Sequence, residues 1–297
     1  MPVRHYQTAY VFPGQGSQLL GMGGGLFDRY PEIEAAADQL LGYSIREICL
    51  EDPRRELSQT QFTQPALFTV NAMMYRAALA DSGEGGDVMA GHSLGEYNAL
   101  HAAGVFDFET GLRLVQKRGN IMSHIEGGAM AAVIGISSAE VLKVMQDNGI
   151  SRLDIANENS PVQTVVSGLE IDVREAAKAF NAVEGCDYIP LRVSGAFHSR
   201  YMEAARDEFE DFMRQFKFSA PERVVISNVE ARPYEADRTH ELLLRQITHP
   251  VKWSESVQVM LGVGVDDFRE SGPGDVLTKL VAATRQLAPA LAIDWPI

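Results

Sequence analysis

The stretch Val88-Met89-Ala90-Gly91-His92-Ser93-Leu94-Gly95-Glu96-Tyr97-Asn98-Ala99-Leu100 runs from a short apolar strand, through Gly-x-Ser-x-Gly, into a helix with a polar first turn. A strand that turns this sharply into a helix needs room, and a Cβ at Gly91 or Gly95 would crowd the neighbouring element. The turn pushes the Ser93 hydroxyl out at the top of a sheet. It also sets Ser93 at a helix N-terminus, where unpaired N–H groups and the helix dipole favour negative charge. A nucleophile whose reaction passes through an oxyanion needs that environment. The pattern is common as a plain turn before a helix, so the strand and helix on either side of it carry the weight.

Upstream, Thr8-Ala9-Tyr10-Val11-Phe12 reads as a first buried strand, running into the loop Pro13-Gly14-Gln15-Gly16-Ser17-Gln18. No Gly-Lys-Ser/Thr follows, and no Gly-x-Gly-x-x-Gly opens a helix with an acidic residue at the nucleotide-binding distance, so a phosphate cradle fits poorly. The alternative is a loop that lends backbone N–H groups to a site shared with Ser93. Helical spacing of apolar residues appears over 31–41 and 64–80, the second with Pro65 in its first turn. A helix is expected over 108–125, carrying Arg113, Lys117 and Arg118, of which two are expected on a solvated face.

At Gly127-Gly128 the character changes. Strands are expected at 129–136, 154–156, 163–167 and 188–193, with helices at 137–148 and 170–182 and a loop at 157–161. That β-α-β-β-α-β order is the ferredoxin-like pattern. The expected fold class is therefore α/β: an α/β-hydrolase-like large domain with a short parallel sheet (1–127 and 195–297), plus an inserted ferredoxin-like α+β subdomain (128–194). The large domain resumes with a helix over 201–216, a strand at 224–227, a helical segment ending before Pro250, a helix over 253–263, a strand at 267–270 and a last helix over 276–288.

Composition narrows the function classes. The 297 residues are 45% hydrophobic and 22% charged, with 26 Lys and Arg against 40 Asp and Glu, giving a net charge of −14. That is a globular composition, and its acidity opposes non-specific nucleic-acid binding. No apolar run approaches the roughly 20 residues of a membrane span, and the first residues lack a secretory signal layout. Cys49 and Cys186 stand far apart, which fits a reducing cytoplasm better than a disulfide framework. The seven His are scattered, so no metal spacing is present.

Five segments together resemble the malonyl-CoA:acyl-carrier-protein transacylases: Gly14-Gln15-Gly16-Ser17-Gln18, Gly91-His92-Ser93-Leu94-Gly95-Glu96, Gln116-Lys117-Arg118-Gly119, Gly195-Ala196-Phe197-His198-Ser199 and Gln246-Ile247-Thr248-His249-Pro250-Val251. They occur in the family's order across nearly the whole chain. Thr60-Gln61-Phe62-Thr63-Gln64-Pro65-Ala66-Leu67 and Gly104-Val105-Phe106-Asp107-Phe108-Glu109-Thr110-Gly111-Leu112 bring it nearest the stand-alone, trans-acting acyltransferases of polyketide synthases.

The resemblance implies Ser93 as nucleophile and His198 as its base, although they stand 105 positions apart. Asp107, Asp147, Asp154, Asp172 and Asp187 lie between them, none in a strand-end motif, so no Asp completes a triad. The family orients the His with a backbone carbonyl instead, here that of Gln246. It makes the oxyanion hole from the N–H groups of Gln15 and Leu94. Arg118 is implied as the planar, permanently charged partner of a malonyl carboxylate. Phe197 would crowd a 2-methyl branch, and His92 is expected at the edge of the substrate site, pointing away from Ser93 in a packing or hydrogen-bonding role. The implied reaction moves malonyl from malonyl-CoA to the phosphopantetheine thiol of an acyl carrier protein, with no permanently bound cofactor and no metal, in a cytoplasmic monomer. Lys117, Arg152, Arg192, Arg200 and Lys279 are candidates for binding coenzyme A and an acidic carrier. An editing acyl hydrolase of the same fold, a fatty-acid-synthesis malonyl transacylase and a non-catalytic docking module are the alternatives.

Overall fold

The computed structural model describes residues 6–193 and 195–293. The chain enters through β1 (Thr8–Phe12) and passes through α1 (Leu26–Arg29), α2 (Pro31–Leu41), α3 (Ile45–Leu50) and α4 (Thr60–Ser82) to β2 (Val88–Gly91). Two helices follow, α5 (Gly95–Ala102) and α6 (Phe108–Ser123). Then come β3 (Gly128–Ile134), α7 (Ser138–Asp147), β4 (Asp154–Ser160), β5 (Gln163–Leu169), α8 (Glu170–Phe180) and β6 (Asp187–Pro190). A single 3-10 turn (Arg200–Met202) leads to α9 (Glu203–Met213), β7 (Val224–Ile226), α10 (Thr239–Thr248), α11 (Trp253–Gly262), β8 (Asp267–Glu270) and α12 (Val276–Leu287).

Strands β7-β2-β1-β8 form one four-stranded sheet, in that order, and every neighbouring pair is parallel. Alternation along the strands sends residues to opposite faces. Tyr10, Phe12, Met89 and Val225 enter a core shared with α2 to α6, α9 and α10, whereas Ala9, Val11, Val88, Ala90 and Ile226 meet Trp253, Val257, Leu277 and Val281 of α11 and α12. The result is a three-layer arrangement with both faces of the sheet covered, as parallel strands require.

The second sheet has the order β4-β5-β3-β6 and is antiparallel throughout. One face packs on α7 and α8 through Ala131, Val133, Val141, Val173 and Phe180. The other face, through Met130, Ala132, Ala156 and Val165, belongs to the main core.

Several elements depart from the sequence reading. Helix α4 begins at Thr60, so Pro65 lies just past the first turn instead of within it. Strand β4 runs on through residues 157–160, expected as a loop. The polar run Asn157-Glu158-Asn159-Ser160 has hydrogen-bonding partners on both sides: β5 along one edge, and Val251 along the other, where Glu158 N donates to Val251 O at 2.9 Å. A paired backbone holds a strand whatever its side chains prefer. Strand β6 stops at Pro190, short of residue 193, and α6 ends at Ser123. Helix α3 escaped the sequence reading although Ser44 caps it by accepting from Glu47 N at 3.2 Å, a Ser-x-x-Glu signature that was there to be seen.

Candidate active site

Strand β2 delivers Ser93 through a turn that only glycines permit. A Cβ on Gly91 would stand 1.9 Å from the Gly95 carbonyl carbon, one on Gly95 would stand 1.9 Å from Phe12 O, and one on Gly14 would stand 2.4 Å from His92 O. The elbow therefore presses main chain against main chain on three sides. Ser93 itself takes φ +51°, a left-handed conformation that a non-glycine residue holds only when its surroundings impose it. Asn228, just after β7, imposes it: Oδ1 accepts from Ser93 N at 2.8 Å, and Nδ2 donates to Gly91 O at 2.6 Å.

Two distant segments meet the Ser93 hydroxyl, and a third holds both of them. His198, with φ +58° in the loop before the 3-10 turn, brings Nε2 to 2.7 Å from Ser93 Oγ. Its Nδ1 lies 2.7 Å from Gln246 O. A carbonyl only accepts, so Nδ1 carries the proton and Nε2 is left to accept from the hydroxyl. Gln246 has a free carbonyl because it lies in the last turn of α10, and Pro250, four residues on, has no N–H to offer it. Burial, followed by the charge of Arg118, lowers the His198 pKa to about 3, so the ring is neutral at pH 7.

Arg118 projects from α6 and is 1% exposed. Nη1 donates to Gln64 Oε1 at 2.9 Å; Nη2 donates to Gln246 Oε1 at 3.0 Å and to Ser93 Oγ at 3.1 Å. Its guanidinium carbon stands 5.5 Å from the centre of the Tyr97 ring. All its hydrogen-bond acceptors are neutral, and among the described residues it makes no ion pair. A buried guanidinium with no carboxylate beside it is a poor structural choice and a good receptor for an anion. Near the elbow, among the described residues, neither the Gln15 nor the Leu94 N–H is given to a protein acceptor. A Cβ on Gly14 would come within 3.5 Å of Leu94 N, so the β1 loop lies directly against the elbow.

With this geometry in view, the likeness to known proteins is decisive. Residues 9–289 match the model of the acyl transferase domain. The chain belongs to the acyl transferase domain family. It is 50% identical over 283 residues to the polyketide biosynthesis malonyl CoA-acyl carrier protein transacylase PksC of Bacillus subtilis, covering 95% of this chain and 98% of that one. A crystal structure of the malonyl CoA-acyl carrier protein transacylase from Burkholderia pseudomallei superposes with a TM-score of 0.93 at 48% identity, over 96% of this chain and 100% of the other. A malonyl-transacylase solved in complex with its type II polyketide synthase acyl-carrier protein gives a TM-score of 0.89 at 35% identity, over 98% and 96% of the two chains.

In this acyl transferase, Ser93, His198, Gln246 and Arg118 lie within hydrogen-bonding distance of one another, and Gln15 and Leu94 lie on the two loops around the elbow. His92 turns away: its Nε2 lies 2.8 Å from Asn159 Oδ1 and its ring 5.8 Å from that of Trp253, tying the two sheets together. Phe197 is 6% exposed within the main core, its ring packed over Gly195. Beside His198 a hollow of about 370 Å³ opens, lined also by Asp154 and Ile155 of the antiparallel sheet and by Arg200, Arg206 and His249. Asn228, Gln64 and Glu96 were not singled out from sequence. No local pattern marks Asn228, although Gln64 stands inside the Thr60–Leu67 stretch and Glu96 inside the Ser93 motif. Among the described residues no group of three or more His, Cys, Asp or Glu is placed to hold a metal ion, and no helix is long and apolar enough to cross a membrane.

Proposed function

We propose that the chain transfers malonyl from malonyl-CoA to the phosphopantetheine thiol of an acyl carrier protein in polyketide biosynthesis, through a Ser93 acyl-enzyme. The observation that carries this reading is the buried, ion-pair-free Arg118 guanidinium, 3.1 Å from Ser93 Oγ. A carboxylate-bearing acyl group satisfies it, and a neutral acetyl group leaves a buried charge unpaired. Ser93 Oγ attacks the thioester carbonyl while His198 Nε2 takes its proton. The N–H groups of Gln15 and Leu94 receive the oxyanion, and the imidazolium then protonates the departing CoA thiolate. The carrier thiol runs the same steps in reverse.

The Gln246 carbonyl keeps His198 in the required tautomer, though it stabilises the imidazolium less than a carboxylate would. Phe197 narrows the space beside His198 against a 2-methyl branch, and His92 shapes the edge of the acyl site through Asn159. The closed elbow and parallel sheet support an α/β-hydrolase-like large domain of residues 1–127 and 195–297. The strand order β4-β5-β3-β6 supports a ferredoxin-like subdomain of residues 128–194. We place the enzyme in the cytoplasm as a monomer.

Intact mass measured after mixing with malonyl-CoA tests the reading. A malonyl adduct on the wild-type protein, lost in Ser93→Ala, is expected; an adduct that persists in the variant excludes Ser93. Arg118→Ala is expected to lower kcat/KM for malonyl-CoA at least a hundredfold while changing acetyl-CoA far less, as removal of a charge-assisted clamp should. Equal losses for both donors would remove the clamp.

A further inference from the structure

The acylation steps leave one buried carboxyl in the site without a role. Glu96, in the first turn of α5, is 0% exposed. Oε1 accepts from Asn228 N at 2.8 Å and from the Tyr234 hydroxyl at 2.9 Å, and Oε2 accepts from Gln246 Nε2. Asn228 is the residue that holds the elbow. Gln246 holds His198 with its backbone carbonyl, Arg118 with its side-chain oxygen, and Ser93 O with its side-chain nitrogen at 2.8 Å. Glu96 therefore joins the two residues that position nucleophile, base and guanidinium.

A glutamine amide can point either way, and its neighbours decide. Gln246 sits between Arg118, which can only donate, and Glu96, which when ionised can only accept. We infer that Glu96 is a positioning residue: it fixes the orientation of the Gln246 amide and so aims Arg118 at the acyl pocket. When ionised, it also supplies negative charge that offsets the buried guanidinium without touching it. That separation leaves the guanidinium edge open to a substrate anion, which a direct ion pair would occupy. The consequence for selectivity rests on the Arg118 reading above; the structural consequence does not.

Glu96→Gln keeps the shape and removes the one-way instruction. Asn228 N keeps the amide oxygen on its side, so the nitrogen faces Gln246 Nε2, and Gln246 either loses that contact or turns over against Ser93 O and presents a donor to Arg118. The ratio of kcat/KM for malonyl-CoA over acetyl-CoA is expected to fall roughly tenfold, the size of one lost hydrogen bond to a charged group. In ¹⁵N spectra the Arg118 Nη signals are expected to be distinct in the wild type and to draw together in the variant, as the guanidinium loses one of its three acceptors. Adding Gln246→Glu pairs the guanidinium directly with a carboxylate, and should separate the Nη signals again while leaving the ratio low. Glu96→Asp, too short to reach Gln246, should act in the same direction if Glu96→Gln folds poorly. Unchanged Nη signals together with an unchanged ratio would overturn the inference. Should Arg118→Ala itself leave the ratio untouched, the clamp reading fails, and the Nη signals alone judge Glu96.

Discussion

Glu96 and His198 are buried in one hydrogen-bond network, and burial disfavours the charged form of each. It raises Glu96 to about 7 and lowers His198 to about 3. The effects on stability run in opposite senses. The Glu96 contribution is fully present below its unfolded pKa near 4.5 and is lost as pH rises through about 7. That of His198 is present above 6.5 and is lost as pH falls towards 3. Between about pH 4.5 and 6.5 the two slopes oppose each other, so the wild-type protein masks both. Glu96→Gln removes one slope: measured by urea unfolding, its stability relative to wild type should improve between pH 5.5 and 7.5 by about 2 kcal/mol. A difference that does not move with pH would show that Glu96 is not titrating in that window. Ser93 and Gly-x-Ser-x-Gly were legible at this scale from adjacent residues alone, because a turn is a local object. Glu96 lay inside the same motif, yet the sequence carries no mark of the tyrosine, asparagine and glutamine that surround it.

The elbow and helix α6 set the limits of local reading for whole elements. Gly95 has no alternative, since any Cβ there meets the Phe12 carbonyl oxygen at 1.9 Å, backbone that cannot swing aside. Gly95→Ala should cost more than about 3 kcal/mol or prevent accumulation of folded protein, a cost set by overpacking and strain. Thermal melts of purified protein would contradict this if they matched the wild type. Asp107 caps α6 by accepting from Thr110 N at 2.8 Å. Asp107→Ala should cost about 1 kcal/mol by the same melts, with malonyl transfer little changed, because a frayed first turn lies three turns from Arg118. Helices α6, α7 and α12 were legible from sequence to within two residues at each end. Strand β4 was not, because what extends it is pairing with β5 and Val251, partners that composition does not reveal.

Across the whole molecule, the antiparallel sheet shares its inner face with the main core, so neither unit has a complete core of its own. Unfolding is expected as one cooperative transition in calorimetry; two resolved peaks would refute shared packing. Arg200 and Asp154 bridge the units at the rim of the hollow, but their side chains are 55% and 21% exposed, so Arg200→Ala should cost no more than about 1 kcal/mol, and less in high salt. Of the cations considered for carrier binding, Lys117, Arg152, Arg200 and Lys279 face Glu208, Asp172, Asp154 and Asp275. Arg192, by contrast, is exposed and makes no ion pair among the described residues. Arg192→Glu should raise KM for the carrier several-fold while leaving KM for malonyl-CoA nearly fixed, an effect that shrinks with salt. Equal changes in both constants would remove it from the docking face.

The sequence by itself determined the nucleophile elbow, the order of the strands and of most helices, most helix ends and the acidic surface, because each depends on residues a few positions apart. Motif resemblance added His198, Arg118 and the Gln246 carbonyl as expectations without geometry. Only the tertiary structure decided that Arg118 makes no ion pair among the described residues, that Asn228 holds the elbow shut, and that Glu96 reaches the guanidinium through an amide. Those contacts join residues 128 to 153 positions apart, and which groups meet over that span is set by how layers pack, a property of the whole chain.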